Sequence, residues 1–221
     1  FYYFILKRNK MEHISKKNID SMEKIFRLNL INSCTGYKSA NLIGSRSDNG
    51  IENLAVFSSI THLGSNPSLL GFVVRPTIVP RDTYSNIISN KFFTVNHINS
   101  EDIEDAHHTS ARYPAKVSEF EMTKFESEYL KNFPAPFVKS SNIKLACKFL
   151  NEYHIKENDT VLIVAEINDI FYRKEYIEND GWLRLDKAKT VTINGLDGYA
   201  LPKLIERYKY AKPKKNEWFY R

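Results

Sequence analysis

Ala40-Asn41-Leu42-Ile43-Gly44-Ser45, then Asp48-Asn49-Gly50, then Ile51-Glu52-Asn53-Leu54-Ala55-Val56-Phe57-Ser58 is the stretch that decides the architecture. Two strand-forming runs flank a turn whose glycine tolerates a positive φ, so the segment reads as a β-hairpin. Further strands follow from it. Residues 69–74 form a continuous apolar run with the length of a buried strand, and 92–96 supply another. Ile143, Leu145, Cys147 and Phe149 alternate with Lys144, Ala146, Lys148 and Leu150, which predicts a half-buried strand with Cys147 on its core face. Residues 161–171 give one more long strand, and Asp180-Gly181 and Asn194-Gly195 are turn signals.

Helices are expected at the periphery. Ile19, Met22, Ile25, Phe26 and Leu30 recur at three- and four-residue steps, predicting one amphipathic helix over 15–33 capped by Ser15. Pro80 and Asp82 mark a second start, with Asp82 as cap and Tyr84, Ile87 and Ile88 facing inward. Ser100 is placed to cap a polar helix carrying Glu101, Asp102 and Glu104, and a short helix is expected over 202–208. Residues 112–136 read as an irregular excursion. Many strands without a βαβ rhythm favour a mainly β fold, a barrel with peripheral helices, over a parallel doubly wound sheet. The expected organisation is one domain over 11–211, with residues 1–10 outside the fold and 212–221 forming a basic, aromatic tail.

The 221 residues, 42% of them hydrophobic, suit one hydrophobic core. The net charge of +6 sits at the ends: residues 1–10 carry +3 and residues 203–221 carry +5, leaving −2 on the body. A nucleic-acid-binding barrel would need basic grooves on the body, so that reading rests on the tail alone. No Gly-x-Gly-x-x-Gly, Gly-Lys-Ser/Thr or Gly-x-Ser-x-Gly motif is present, which argues against a dinucleotide fold, a nucleoside triphosphatase and an α/β-hydrolase. His107 and His108 would point about 100° apart on a helix and do not jointly hold a metal. Cys34 and Cys147 have no neighbouring cysteine, so reduced thiols, a cytoplasmic location and no redox role are expected. The apolar opening, residues 1–6, is too short to span a bilayer and is followed by basic residues.

Several pieces in order resemble the flavin reductase-like family of FMN-binding split barrels: residues 41–46 and 53–59, Asn66-Pro67-Ser68-Leu69-Leu70, Arg75, Arg81-Asp82-Thr83 and Phe93-Thr94-Val95-Asn96. Ser118-Glu119-Phe120-Glu121, the strand around Cys147 and Asp197-Gly198-Tyr199-Ala200-Leu201-Pro202 extend the similarity to about residue 211. Val56 and Ser68 stand where the family often carries proline.

The resemblance implies a split β-barrel that binds FMN non-covalently, commonly at a homodimer interface. It implies either an NAD(P)H-dependent flavin reductase or a flavoredoxin-like electron carrier. Arg75, Arg81 and Thr83 are the candidates for the FMN phosphate, since forked guanidiniums and a helix N-terminus suit a dianion. Asn53, Ala55, Ser58 and Ser59 are the candidates for the polar edge of the ring, and Asn41 and Ser45 extend the set on the facing strand. Hydride transfer needs no side-chain acid or base, so no catalytic residue is assigned. His154, expected in a loop, has nothing in the sequence to position it. The aromatic tail Trp218-Phe219-Tyr220 lacks an obvious internal partner, a second reason to expect a homodimer.

Overall fold

The computed structural model describes residues 11–212. Two short helices lead, α1 (Lys16–Ser21) and α2 (Lys24–Cys34). Ser15 does cap the first, in a capping box with Asn18. The single helix expected over 15–33 is interrupted because Met22 turns extended and the Glu23 carboxylate caps the N–H groups of Ile25 and Phe26, starting a new helix. Those bonds hold Glu23 below the usual carboxylate range. Neither helix buries a residue, and Ile25 and Phe26 stand more than half exposed, so the periodic apolar face has no partner among the described residues.

The sheet begins with β1 (Lys38–Ser39), β2 (Asn41–Arg46), β3 (Glu52–Phe57), β4 (Thr61–Ser65) and β5 (Ser68–Val74). β2 and β3 form the expected hairpin, with Asn41 opposite Phe57 and Ser45 opposite Asn53, and Gly50 takes φ +83° in the turn. Next come α3 (Asp82–Asn90), β6 (Phe92–His97), α4 (Ile103–His108) and α5 (Glu119–Met122). β7 (Ser127–Glu128), β8 (Phe137–Val138), the long β9 (Ile143–Ile155) and β10 (Thr160–Tyr172), β11 (Thr192–Asn194) and β12 (Gly198–Ala200) complete the strands.

Seven strands pair antiparallel in the order β3-β2-β6-β9-β10-β5-β4. β3 and β4 occupy opposite ends of that order, yet only residues 58–60 connect them. The sheet must therefore curl until its ends meet, which makes it a barrel split along the β3–β4 seam. Ser59 pins the seam: its hydroxyl donates to the Val73 carbonyl at 3.2 Å and accepts from the Val73 N–H at 3.1 Å.

Alternation along the strands divides the core. Ile43, Phe72, Phe93, Val95, Cys147 and Ile163 pack inside the barrel, whereas Leu42, Leu54, Ile98 and Phe120 pack on its outer side. Cys147 is buried as its alternation predicts and burial pushes its thiol up; Cys34 is exposed and neither cysteine is paired.

Four expectations need correction. Asp82 is the first residue of α3 rather than its cap: Arg81 holds the cap position, no side chain caps the helix, and Asp82 acts only through the dipole. The polar helix starts at Ile103, with Asp102 rather than Ser100 at the cap position. Residues 202–208 form no helix; 201–212 run irregular and exposed, because no surface among the described residues buries Leu204 and Ile205. His154 lies in β9 rather than a loop, since β9 runs on past the end of β6 while still paired with β10, which is itself paired there with β5. Trp218-Phe219-Tyr220 and residues 1–10 lie outside the described residues. Among the described residues, no helix is long and apolar enough to cross a membrane.

Candidate flavin site

α3 lies across β2 and β3 because Thr83, Asn86 and Ile87 share one face at three- and four-residue spacing and all three are buried. Ile87 enters the barrel core, while Thr83 and Asn86 meet the hairpin. Asn53 donates through Nδ2 to Thr83 Oγ1 at 2.9 Å and to Ser45 Oγ at 3.3 Å, and Asn86 donates to Ser45 Oγ at 3.2 Å. Two amides thus serve as donors to two hydroxyl oxygens. The hydroxyl hydrogens of Ser45 and Thr83 are left free to donate elsewhere.

Arg81 sits immediately before this cluster at the head of α3. Its Nε is buried with no hydrogen-bond partner. Burial, followed by the charges of Arg75 and Arg112, pulls its pKa below the ordinary arginine value. Among the described residues none of these three guanidiniums forms an ion pair. A buried donor without an acceptor costs stability, and mutually repelling cations add to the cost, so the arrangement calls for an anion. The donor set fits a phosphate: guanidinium N–H groups, two spare hydroxyls and the first turn of a nine-residue helix.

The other expected residues separate. Ala55 lies on β3, directly opposite Ile43, two residues along from Asn53 on the same face, and Ser58 follows at the seam. Ser59 is near them, but its hydroxyl is spent on Val73, leaving its main chain for any ligand. Asn41 is four positions from Ser45, about 13 Å along the strand, and so is apart from the cluster around Arg81. Its Nδ2 is buried without a partner. His97 stands directly opposite Asn41 on β6, with its Nδ1 likewise buried and unpartnered.

Burial lowers the His97 pKa to about 4. The unfolded chain then takes up a proton near pH 6.5 that the folded chain refuses until about pH 4, so stability present at neutral pH is lost as pH falls through that window. The residue is not fully sealed from solvent, which makes about 3 kcal/mol an upper bound. Urea melts between pH 7.5 and 4.5 should show this slope, and His97→Gln should flatten it; an unchanged slope in the variant would assign the loss to other groups.

Sequence reasoning missed Asn86, Arg112 and Glu119. Asn86 lies three residues after Thr83, a spacing that places both on one helix face and was legible. Arg112 and Glu119 come from the excursion, and nothing in their local sequence ties them to residues near 53 or 81. Glu119 is buried, and its Oε2 accepts the Leu54 N–H at 2.9 Å. Burial pushes the Glu119 carboxyl up and the charge of Asp82 adds to this, while the hydrogen bonds from the N–H groups of Leu54 and Glu119 itself oppose it.

Comparison with known proteins agrees with this architecture. A split-barrel protein of Shewanella frigidimarina NCIMB 400, provisionally named a flavin reductase, is 42% identical, with a TM-score of 0.88 over 91% of this chain and 100% of that one. Nitrilotriacetate monooxygenase component B of Bacillus cereus shares the fold at 21% identity, with a TM-score of 0.77 over 91% of this chain and 100% of its own. Flavoredoxin of Desulfovibrio vulgaris (Miyazaki F) shares it at 15% identity, with a TM-score of 0.69 over 79% of this chain and 92% of its own. The family model described as flavin reductase like domain matches residues 38–185, from β1 through β10 and beyond. With that match covering more than half of its length, the chain belongs to the flavin reductase-like family of split barrels.

Proposed function

We propose that the protein binds FMN non-covalently and uses it as an oxidoreductase, most simply as an NAD(P)H-dependent flavin reductase. The observation that carries the reading is the Arg81 guanidinium, buried at Nε without a partner, under the charges of Arg75 and Arg112 and at the head of the helix whose Thr83 joins the Asn53 and Ser45 cluster. Arg81, Arg75 and Arg112 would hold the phosphate with Thr83. Asn53 would fix the Thr83 and Ser45 hydroxyls so that their hydrogens face the anion. Ala55, Ser58 and the main chain at Ser59 would line the ring along the seam, and Asn41 would serve its far end. Bound there, FMN would supply the redox chemistry, accepting a hydride at N5 from reduced nicotinamide. The chain's task is to orient the ring and limit water, and no side-chain acid is required.

The bare apolar faces of α2 and of residues 201–212 support a homodimer, because exposed apolar surface of this kind marks an interface. Light scattering should give twice the chain mass, and a monomer with and without FMN would contradict this. The unpaired cysteines accord with the cytoplasm.

Anaerobic addition of NADH or NADPH to the FMN-loaded protein tests the activity. Bleaching of the visible flavin band within the time of a turnover supports the reductase. A flavin that stays oxidised with both donors, yet reduces with dithionite, would replace it with an electron carrier served by a protein partner.

A further inference from the structure

We infer that Glu119 is a positioning residue for the flavin site, its carboxylate acting as the missing neighbour strand along the open edge of β3. β3 ends the seven-stranded order, so among the described residues one side of its backbone has no strand beside it. Leu54 is fully buried, and its N–H points to that open side, where it meets Glu119 Oε2 at 2.9 Å. A donor this deeply buried must be satisfied, and the Glu119 side-chain oxygen does so as its acceptor. α5 is only four residues long, and Ser118 caps it by accepting the Phe120 N–H, which places Glu119 at its head against β3. Phe120 anchors the same turn in the outer core cluster.

The residues flanking Leu54 are Asn53 and Ala55. Asn53 organises the Ser45 and Thr83 hydroxyls, and Ala55 lies on the same face of β3. Holding Leu54 therefore sets the height of both flanking residues against α3. Without the carboxylate the edge is free to shift by a fraction of an ångström toward water, and the hydroxyl pair moves with it. This role rests on the FMN reading above, and it predicts an effect on ring and phosphate alike.

Three variants and two ligands test it. Glu119→Gln keeps an acceptor oxygen at the same reach, Glu119→Asp keeps the charge and shortens the reach, and Glu119→Ala removes both. Loss of this one buried hydrogen bond is expected to weaken FMN and riboflavin equally, by about tenfold in Glu119→Asp and Glu119→Ala, with Glu119→Gln within about twofold of wild type. The visible circular dichroism of the bound flavin should change in Glu119→Asp and return in Glu119→Gln, a signature that a change in stability alone would not move. Should Glu119→Ala fail to fold, Glu119→Asp decides. Wild-type affinity and dichroism in Glu119→Asp would overturn the inference while leaving the FMN reading intact. Glu119→Gln as weak as Glu119→Asp would overturn it as well, by showing that an acceptor oxygen at the same reach does not hold the edge. A wild-type protein that binds neither flavin would overturn both.

Discussion

Arg81→Ala should weaken FMN binding by about 10- to 150-fold, the equivalent of the 1.5–3 kcal/mol carried by a charge-assisted hydrogen bond. Riboflavin, which lacks the phosphate, should bind the variant almost as it binds wild type. The asymmetry follows from position. Arg81 precedes α3 at the end where free N–H groups and the helix dipole favour an anion, and its buried Nε has no acceptor. Arg75 and Arg112 already repel it, so removing Arg81 should relieve strain in the unliganded protein rather than add to it. Thermal stability without ligand should therefore hold or rise slightly. Equal losses for FMN and riboflavin would mean that Arg81 supports the ring or the fold, and the phosphate assignment would fail.

Phe72→Ala should lower stability by about 3–5 kcal/mol, the range for truncating a buried aromatic side chain. For a domain of this size that is a fall in Tm of about 6–20 °C. Phe72 is fully buried on β5 and stacks edge-on against Phe57 at 5.3 Å and Phe93 at 5.5 Å between ring centroids. Phe57 belongs to β3 at one end of the sheet order and Phe93 to β6 in its interior, so a single ring ties the barrel wall across the split. The cavity left by alanine is walled by strands that cannot collapse into it independently. A thermal melt with a loss below about 1 kcal/mol would show that the site refills and that the three rings are not a keystone.

Local signals in the sequence were enough for most of the sheet. The β2–β3 hairpin was legible because Asp48-Asn49-Gly50 is a turn with a mechanism and because the runs on either side suit strands. Cys147 was placed correctly by simple alternation. β4 escaped notice because Thr61-His62-Leu63-Gly64-Ser65 carries one large apolar residue and lies mostly exposed at the edge, so burial imposes no pattern on it. The expected helix over 202–208 failed for the opposite reason: apolar spacing was present, but no surface among the described residues buries it. In the candidate site, Asn53, Thr83 and Ser45 were all named from resemblance; the hairpin sets Asn53 opposite Ser45, but the bond from Asn53 to Thr83 thirty positions away follows only from the packing of α3 on the hairpin. Glu119 lies in a stretch that carries the resemblance, but its reach to Leu54 across 65 positions has no local signal.

The measurement that bears most directly on the central claim is a titration of flavin-free protein with FMN, followed by flavin fluorescence and visible absorbance, with riboflavin in parallel. The account predicts saturable binding of one FMN per chain, tighter than riboflavin by at least about tenfold because the phosphate meets the guanidinium of Arg81. Equal affinity for the two flavins, or no saturable binding of either, would contradict it.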